Sequence, residues 1–248
     1  MIDIFYKSYR NDFKLLKYSL MSVKKFVTGY NELIITIPIK DFALFWNTFK
    51  LADLPKRTRV VSVPEYGNGY LYQQVCKLKA HQHSTANYIL FTDSDFIFNK
   101  PLNVPDLINN GKPEILYTEY EKSGAMVWKE PTERFIGLPV KYEFMRRLQL
   151  VYHRSTLEKI NEVFPNLEYS VMTSKTFSEF NFIGAWAFNN EPDKYMFTNT
   201  DTWEYKEPIG IQLWSWADKN NRSEAHKREY KKQLDTINKV FELNITSI

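Results

Sequence analysis

The sequence predicts an α/β fold in which a mixed, Rossmann-like sheet is flanked by helices in a single domain. Short apolar segments alternate with stretches of helical periodicity through residues 2–92, which is typical of a parallel sheet covered on both faces. The chain has 248 residues, of which 44% are apolar and 25% charged. These values suit one globular domain and exclude a disordered chain.

Four strands and three helices are predicted in the first part of the chain. Asn11 and Asp12 are expected to cap the first helix, and Pro38 and Pro64 to end the second and third strands. The predicted strands cover 2–9, 33–37, 59–63 and 88–92, and the predicted helices cover 13–27, a segment opened by Asp41, and 70–81. Ligands of such sheets bind beyond the carboxyl ends of the strands, so the residues after the first and fourth strands are the first candidates.

After residue 100 the pattern changes, and prolines punctuate it. We expect two lobes around one cleft, formed by 1–100 and 101–220, and a C-terminal helix within 221–248. The predicted strands are 114–119, 176–188 and 209–216, and the predicted helices are 142–151, 156–164 and 222–243.

Charge and cysteine content narrow the possible environment and ligands. The net charge of +4 resolves into +6 over residues 1–100 and −4 over residues 101–220. A basic first part suits an anionic ligand such as a nucleoside diphosphate, although the total net charge is too small to establish a nucleic-acid partner.

Cys76 is the single cysteine, which favours a reducing compartment. With neither a signal peptide nor a membrane span expected, the predicted location is cytoplasmic.

The strongest local signal is YILFTDSDFIF at residues 88–98. Two carboxylates follow a buried strand, and in an extended segment residues i and i+2 point the same way. Asp93 and Asp95 are then expected to converge, where they would repel each other unless a cation lies between them. Mg²⁺ or Mn²⁺ binds through one or two carboxylates and substrate phosphates. The alternative is an ordinary Asp-Ser turn without a ligand.

These segments resemble the GT-A class of glycosyltransferases. YLYQQVCKLKA at 70–80 followed by the DxD segment is similar to the Q-Q-x-x-K-L…D-x-D arrangement of small bacterial and viral members. FSEFNFIGAW at 177–186 is similar to an acidic aromatic strand of their acceptor lobe. The similarity covers roughly residues 1–125 and this second segment. It implies a nucleotide-sugar-binding lobe over 1–100 and an acceptor lobe over 101–220.

The resemblance implies roles for the residues of the DxD motif. Asp95 would bind the metal, and Asp93 would contact the ribose or bind the metal, directly or through water. Ser94 between them would belong to the donor site. The metal, Mn²⁺ or Mg²⁺, would bridge the two phosphates and stabilise the departing nucleoside diphosphate.

Four further residues would line the donor site. Tyr9 and Arg10, after the first strand, would lie against the base and the phosphates. Gln74 and Lys77 flank the apolar stripe of the third helix and could face the donor. The alternative for these two side chains is a solvated helix edge.

Glycosyl transfer also requires a carboxylate near the anomeric carbon, which an inverting enzyme uses as a base. Glu179 is the candidate catalytic residue, because Ser-Glu-Phe interrupts an apolar segment predicted as a strand. A salt bridge or a strand-edge position is the alternative for Glu179. Asp201 and Glu204 are the next candidates.

The expected function is therefore transfer of a sugar from a nucleotide sugar, with a UDP-sugar as the expected donor. The acceptor would be a hydroxyl of a surface glycan or of a modified base in phage DNA. A nucleotidyltransferase or a phosphatase on a similar sheet is one alternative, although KSYRND after the first strand lacks the glycines of a phosphate loop. A non-catalytic glycan-binding protein is the other.

Overall fold

The computed structural model describes residues 1–146, 150–201, 209–213 and 224–242. Strands and helices alternate in the first part of the chain, as the sequence predicts. In chain order the elements are β1 (Ile2–Lys7), α1 (Phe13–Phe26), β2 (Val27–Thr28), β3 (Leu33–Pro38), α2 (Ile39–Thr48), β4 (Thr58–Val63), α3 (Gly69–Leu78), β5 (Tyr88–Phe91), β6 (Phe96–Phe98), β7 (Leu102–Asn103), β8 (Ile108–Asn109) and β9 (Lys112–Glu119).

The remaining elements cover residues 120–242. They are α4 (Tyr120–Ser123), α5 (Lys129–Ile136), β10 (Tyr142–Glu143), β11 (Leu150–His153), α6 (Arg154–Val163), α7 (Leu167–Thr173), α8 (Glu179–Asn190), β12 (Met196–Asn199), β13 (Gly210–Gln212) and α9 (Glu224–Phe241).

The main sheet has five strands in the order β11-β5-β1-β3-β4. Its first four strands in the chain run parallel, and β11 pairs antiparallel with β5 at the edge, so the sheet is mixed. Every residue of β1 and β3 is buried. Helices cover both faces of these strands, which explains why they are continuous apolar runs rather than alternating ones.

The strand order reverses between β1 and β5. The chain proceeds from β1 to β3 and β4 on one side, and then returns to place β5 on the other side of β1. A crevice at such a reversal is the usual ligand position in open α/β sheets. The segments 8–12 and 92–95, which follow β1 and β5, meet at this edge.

The prediction of a helix over 142–151 is wrong. Tyr142 instead pairs with Glu119 in an antiparallel bridge, and Leu150 pairs with Phe91 at the edge of the main sheet. The backbone N–H of Phe144 between them donates to Oδ1 of Asn181 at 2.8 Å. Tertiary pairing of these backbone groups therefore overrides the local helical periodicity.

The prediction of a strand over 176–188 is also wrong, because this segment forms α8. Ser178 caps the helix by accepting from the backbone N–H of Asn181. The nine residues from Glu179 to Ala187 are all buried. A helix buried on all sides gives the same uninterrupted apolar pattern as a central strand, and periodicity does not separate the two.

The principal apolar core joins the two expected lobes. It includes Phe5 and Phe91 of the main sheet together with Phe144 and Phe182 from the second part of the chain. On the other face, α9 packs against α1 through a smaller cluster, which agrees with the predicted C-terminal helix. Among the described residues, no helix is long and apolar enough to cross a membrane.

Candidate functional site

The D-S-D segment forms a tight turn at the carboxyl end of β5. The backbone N–H of Phe96 donates to the carbonyl of Asp93 at 3.0 Å, which closes a four-residue turn. The expectation that residues 93–95 are extended is therefore wrong. The backbone instead forms the Asp-Ser turn that the sequence analysis gave as the alternative. The two aspartates nevertheless interact, since Asp93 contributes to a raised pKa at Asp95.

Asp95 lies under β13 and is partly buried. The amide of Gln212 donates to its Oδ1 at 3.4 Å, and the backbone N–H of Leu213 donates to its carbonyl at 2.7 Å. Burial, together with the charge of Asp93, raises the pKa of Asp95 to about 8. A carboxyl group in this state gains from a nearby cation, because the cation favours its ionised form.

Asp12 is a third carboxylate at this edge. From the sequence it was expected only to cap the first helix. It occupies the N-cap position of α1, as expected, but its side chain makes no capping hydrogen bond. Burial and the charge of Asp93 raise its pKa to about 6. Its position in the loop between the first strand and α1 was the available signal, but the capping role was sufficient to explain an aspartate there.

Lys77 joins two carboxylates from distant parts of the chain. Its Nζ lies 2.8 Å from Oδ1 of Asp93 and 2.8 Å from Oε1 of Glu179, and 4.6 Å from the centre of the Phe180 ring. The Lys77 side chain is only 5% exposed. Burial acts to lower its pKa, but the two carboxylates outweigh burial and raise the pKa above its ordinary value. The lysine is therefore held as a buried cation.

Gln74 lies one turn before Lys77 on α3 and binds the start of α8. Its Oε1 accepts from the backbone N–H of Glu179 at 3.1 Å, and its Nε2 donates to the carbonyl of Tyr70 at 3.4 Å. Gln74 and Lys77 are both nearly inaccessible to solvent. The alternative of a solvated helix edge is therefore wrong for both, and their polar groups bind protein rather than facing open solvent.

Glu179 lies in the first turn of α8 and not in a strand. Glu179 is buried and forms an ion pair with Lys77. A salt bridge was the alternative to a catalytic role that the sequence analysis gave for this residue. A carboxylate in the first turn of a helix is also stabilised by the helix dipole. The structure thus brings Lys77, Asp93 and Glu179 together, which we call the Lys77 triad.

Further buried polar groups surround the crevice, and of these the sequence analysis named only Ser94. Lys7, at the end of β1, donates to the carbonyl of Ser8 at 3.0 Å and lies 3.8 Å from Glu65. Burial lowers the pKa of Lys7. The hydroxyls of Ser8 and Ser94 are buried and have no hydrogen-bond partner in the part of the chain that the structure describes. Buried hydroxyls of this kind are available to a ligand.

Tyr9 and Arg10 are exposed in the loop after β1. Tyr9 is 40% exposed, so part of its side chain is accessible from solvent. Arg10 is engaged elsewhere, since its Nε donates to Oδ1 of Asp41 and its backbone N–H donates to Oδ2 at 3.1 Å. The guanidinium is thus directed toward the first turn of α2.

The remaining candidates contribute little to this site. Asp201 is ion-paired with exposed Lys122 at 2.7 Å, and Glu204 lies outside the described residues. Within the described ranges, no group of three or more His, Cys, Asp or Glu side chains is arranged to hold a metal ion alone. A magnesium-type site needs fewer, because one or two carboxylates and substrate phosphates suffice. The chemistry of Asp93 and Asp95 fits that requirement.

Comparison with known proteins adds no assignment to this site. Neither the scan against family models nor the search of curated proteins finds a match to this sequence.

Proposed function

We propose that the protein is a metal-dependent glycosyltransferase that uses a nucleoside-diphosphate sugar. One observation carries the proposal: two interacting aspartates follow β5 at the point where the strand order of the main sheet reverses. This crevice is where α/β folds bind nucleotides. The similarity of the segments 70–80 and 88–98 to GT-A enzymes supports the same activity.

Asp95 would hold the Mg²⁺ or Mn²⁺ ion, with Asp93 as a second ligand through the oxygen that Lys77 does not bind. When bound, the ion neutralises charge on the diphosphate as it leaves. Burial favours the protonated form of Asp95, so the ion would displace a proton on binding.

The chain's own groups would orient the donor. Tyr9 offers an exposed ring for the base, and the hydroxyls of Ser8 and Ser94 can bind the ribose or a phosphate oxygen. Lys7 adds a buried positive charge at the same edge. These groups explain how a site with three carboxylates could still accept an anionic ligand.

Glu179 would accept the proton of the acceptor hydroxyl through Oε2, while Oε1 stays bound to Lys77. The triad would fix the direction of this carboxylate, because a buried lysine with two partners has little rotamer freedom. Lys77 acts as a positioning residue in this scheme.

The test is a screen of nucleotide sugars that measures binding and released nucleoside diphosphate, with and without Mn²⁺. We expect at least one donor to bind only with metal, and Asp95→Asn to abolish that binding. Asp201→Asn, at an exposed ion pair, is the matched control and should bind as the wild type does. Lack of binding by every donor with metal present would overturn the proposal. Release of pyrophosphate from a nucleoside triphosphate in the presence of a sugar phosphate would assign a nucleotidyltransferase instead.

A further inference from the structure

Strand β4 forms an open edge of the main sheet. In the part of the chain that the structure describes, it pairs only with β3. Arg59 and Ser62 of β4 are exposed, whereas residues 150–152 of β11, at the opposite edge, are buried. An unpaired edge strand is a template for another strand, so the open side of β4 requires an explanation.

The register with β3 determines which backbone groups of β4 are unpaired. The backbone N–H of Leu33 donates to the carbonyl of Arg57 at 3.0 Å, and Leu33 lies opposite Thr58. Because the bonding direction alternates from one residue to the next along a strand, the N–H and C=O groups of Arg59 and Val61 bond to β3. The groups that point outward belong to the alternate residues Thr58, Val60 and Ser62. Among the described residues, none provides a hydrogen-bond partner for these outward groups.

Arg59, the only charged residue of β4, does not block this edge. Its Nε and Nη2 donate to the carboxylate of Glu32 at 2.8 and 2.7 Å, and Nη2 also donates to the carbonyl of His83. Glu32 precedes β3 and His83 precedes β5, so the guanidinium is directed toward the inner strands. Charged side chains and prolines usually keep an edge strand from pairing, and β4 has neither at its open side.

The flank of α2 beside this edge is apolar. Ile39, Phe42 and Trp46 recur at helical spacing and share one flank of the helix. Ile39 is 62% exposed and Trp46 42%, and the Trp46 ring contacts the Phe42 ring edge-on at 6.3 Å. Asp41 lies on the flank toward β1, since its Oδ2 accepts from the backbone N–H of Arg10 at 3.1 Å. The apolar flank therefore faces β4, as expected for a right-handed crossover from β3 to β4.

We propose that two copies of the chain form a dimer by antiparallel pairing of β4 about a two-fold axis at Val60. This register places Thr58 of each copy opposite Ser62 of the other, so every outward N–H meets an outward C=O. Arg59 lies opposite Val61 of the other copy, and no like charges are opposed. The two five-stranded sheets then join into one. The same surface is used by both copies, as a two-fold axis requires.

The same axis covers the apolar flanks of the two α2 helices. Packed helices lie about 10 Å apart, so α2 of each copy comes against α2 of the other on one face of the joined sheet, with Ile39 and Trp46 between them. A peptide from another protein would pair with β4 but leave this flank in water, which is why a second copy fits better. Pairing ends at two copies, because β11 at the opposite edge of the sheet is largely buried.

Size-exclusion chromatography with light scattering, over a range of protein concentrations, measures the dimer. The wild type should dimerise as its concentration rises. Ser62→Pro removes an outward N–H that the ladder with β3 does not use, and it should raise the dimer Kd about 100-fold or more. Ser62→Ala keeps the N–H and should dimerise normally. Trp46→Ser should also weaken the dimer, whereas Leu44→Ser, at a similarly exposed residue on the opposite flank of α2, is the matched control and should not.

Amide hydrogen exchange tests the register. The amides of Val60 and Ser62 should become protected only at concentrations where the dimer forms, whereas those of Arg59 and Val61 should be protected throughout. Protection of Arg59 and Val61 in Ser62→Pro separates loss of the dimer from loss of folding.

Three results would overturn the proposal. They are a wild type that stays monomeric up to about 1 mM, a dimer that Ser62→Pro leaves intact, and protection of the Val60 and Ser62 amides that is independent of concentration. The last result would mean that a segment of the same chain covers the edge. None of these measurements depends on the glycosyltransferase activity.

Discussion

Lys77 and Glu179 are 102 positions apart in the sequence, and their side chains form a buried ion pair of 2.8 Å. The same ammonium binds Asp93 of the D-S-D turn. One cation therefore connects α3, the turn after β5 and the first turn of α8. The acidic edge of the sheet is fixed to the second part of the chain through this contact.

Lys77→Met should destabilise the fold by about 3 kcal/mol, because it leaves two partly or fully buried carboxylates without their cation. Urea unfolding at neutral pH measures the loss. Adding Glu179→Gln should recover part of it, since one of the uncompensated charges is removed. Lys122→Met breaks an exposed ion pair and should leave stability unchanged. A similar effect of both lysine variants would contradict the burial argument.

Asp95→Asn should stabilise the metal-free protein at pH 8 to 9 and have little effect at pH 4. The pKa of Asp95 is raised to about 8 by burial and by Asp93, so the folded chain holds a proton that the unfolded chain loses near pH 4. The contribution of Asp95 to stability therefore falls as pH rises from about 4 to 8. We expect a gain of at least about 1 kcal/mol above pH 8, measured by denaturant unfolding across pH. Identical pH profiles for the two proteins would refute this account of Asp95.

Binding of Mn²⁺ should strengthen with pH up to about 8. A metal held by Asp95, as proposed, would compete with the proton on that carboxyl, so its affinity should fall up to about tenfold per pH unit below that value. Calorimetric titration in buffers of different ionisation enthalpy measures the proton released. A titration with NaCl in place of Mn²⁺, at matched ionic strength, is the control for general screening. Affinity that is independent of pH would place the metal away from Asp95.

Glu179→Gln should reduce transfer about 100-fold or more and retain donor binding, as expected for loss of a general base. Lys77 keeps Asp93 as a partner in this variant, so the fold should survive. The rate constant kcat for transfer and the Kd of the donor are the two readouts. Glu168→Gln, which breaks the ion pair with Lys79, is the matched control and should transfer normally. Unchanged kcat in Glu179→Gln would remove this residue from the base role.

Gly184→Ala should destabilise the protein by about 1 to 3 kcal/mol. A Cβ at Gly184 would lie 2.4 Å from Cβ of Phe144, so α8 and the segment before β11 approach too closely for any side chain. Gly69→Ala, at the start of α3, meets its nearest neighbour at 3.8 Å and should not destabilise. Thermal unfolding of both variants checks the difference. Equal stability of the two would show that α8 can shift at no cost.

The parallel part of the fold is predictable because its signals are local. The main-sheet strands β1, β3, β4 and β5 are short and mostly apolar, and the helices α1, α2 and α3 that connect them carry their own periodicity. The α8 segment lacks such a signal, since a helix buried on every side looks like a central strand. The pairing of residues 142–143 and 150–153 depends on partners distant in sequence, which overrides local preference.

The candidate site was predictable only in part, for a related reason. The aspartates stand out because they interrupt an apolar run and follow a strand. Lys77 was identified from its motif, but its double ion pair requires a contact with α8 that no local pattern specifies. Asp12 was missed because an aspartate before a helix already has a sufficient explanation as a cap.

Because the residues of the triad lie far apart in the sequence, the site is complete only when α8 is docked on the first part of the chain. Asp93 and Lys77 acquire their third partner, Glu179, only when α8 docks. A chain in which α8 has not yet docked would carry the D-S-D turn without the contact between Lys77 and Glu179. Formation of the Lys77 triad would therefore report that the whole domain has assembled.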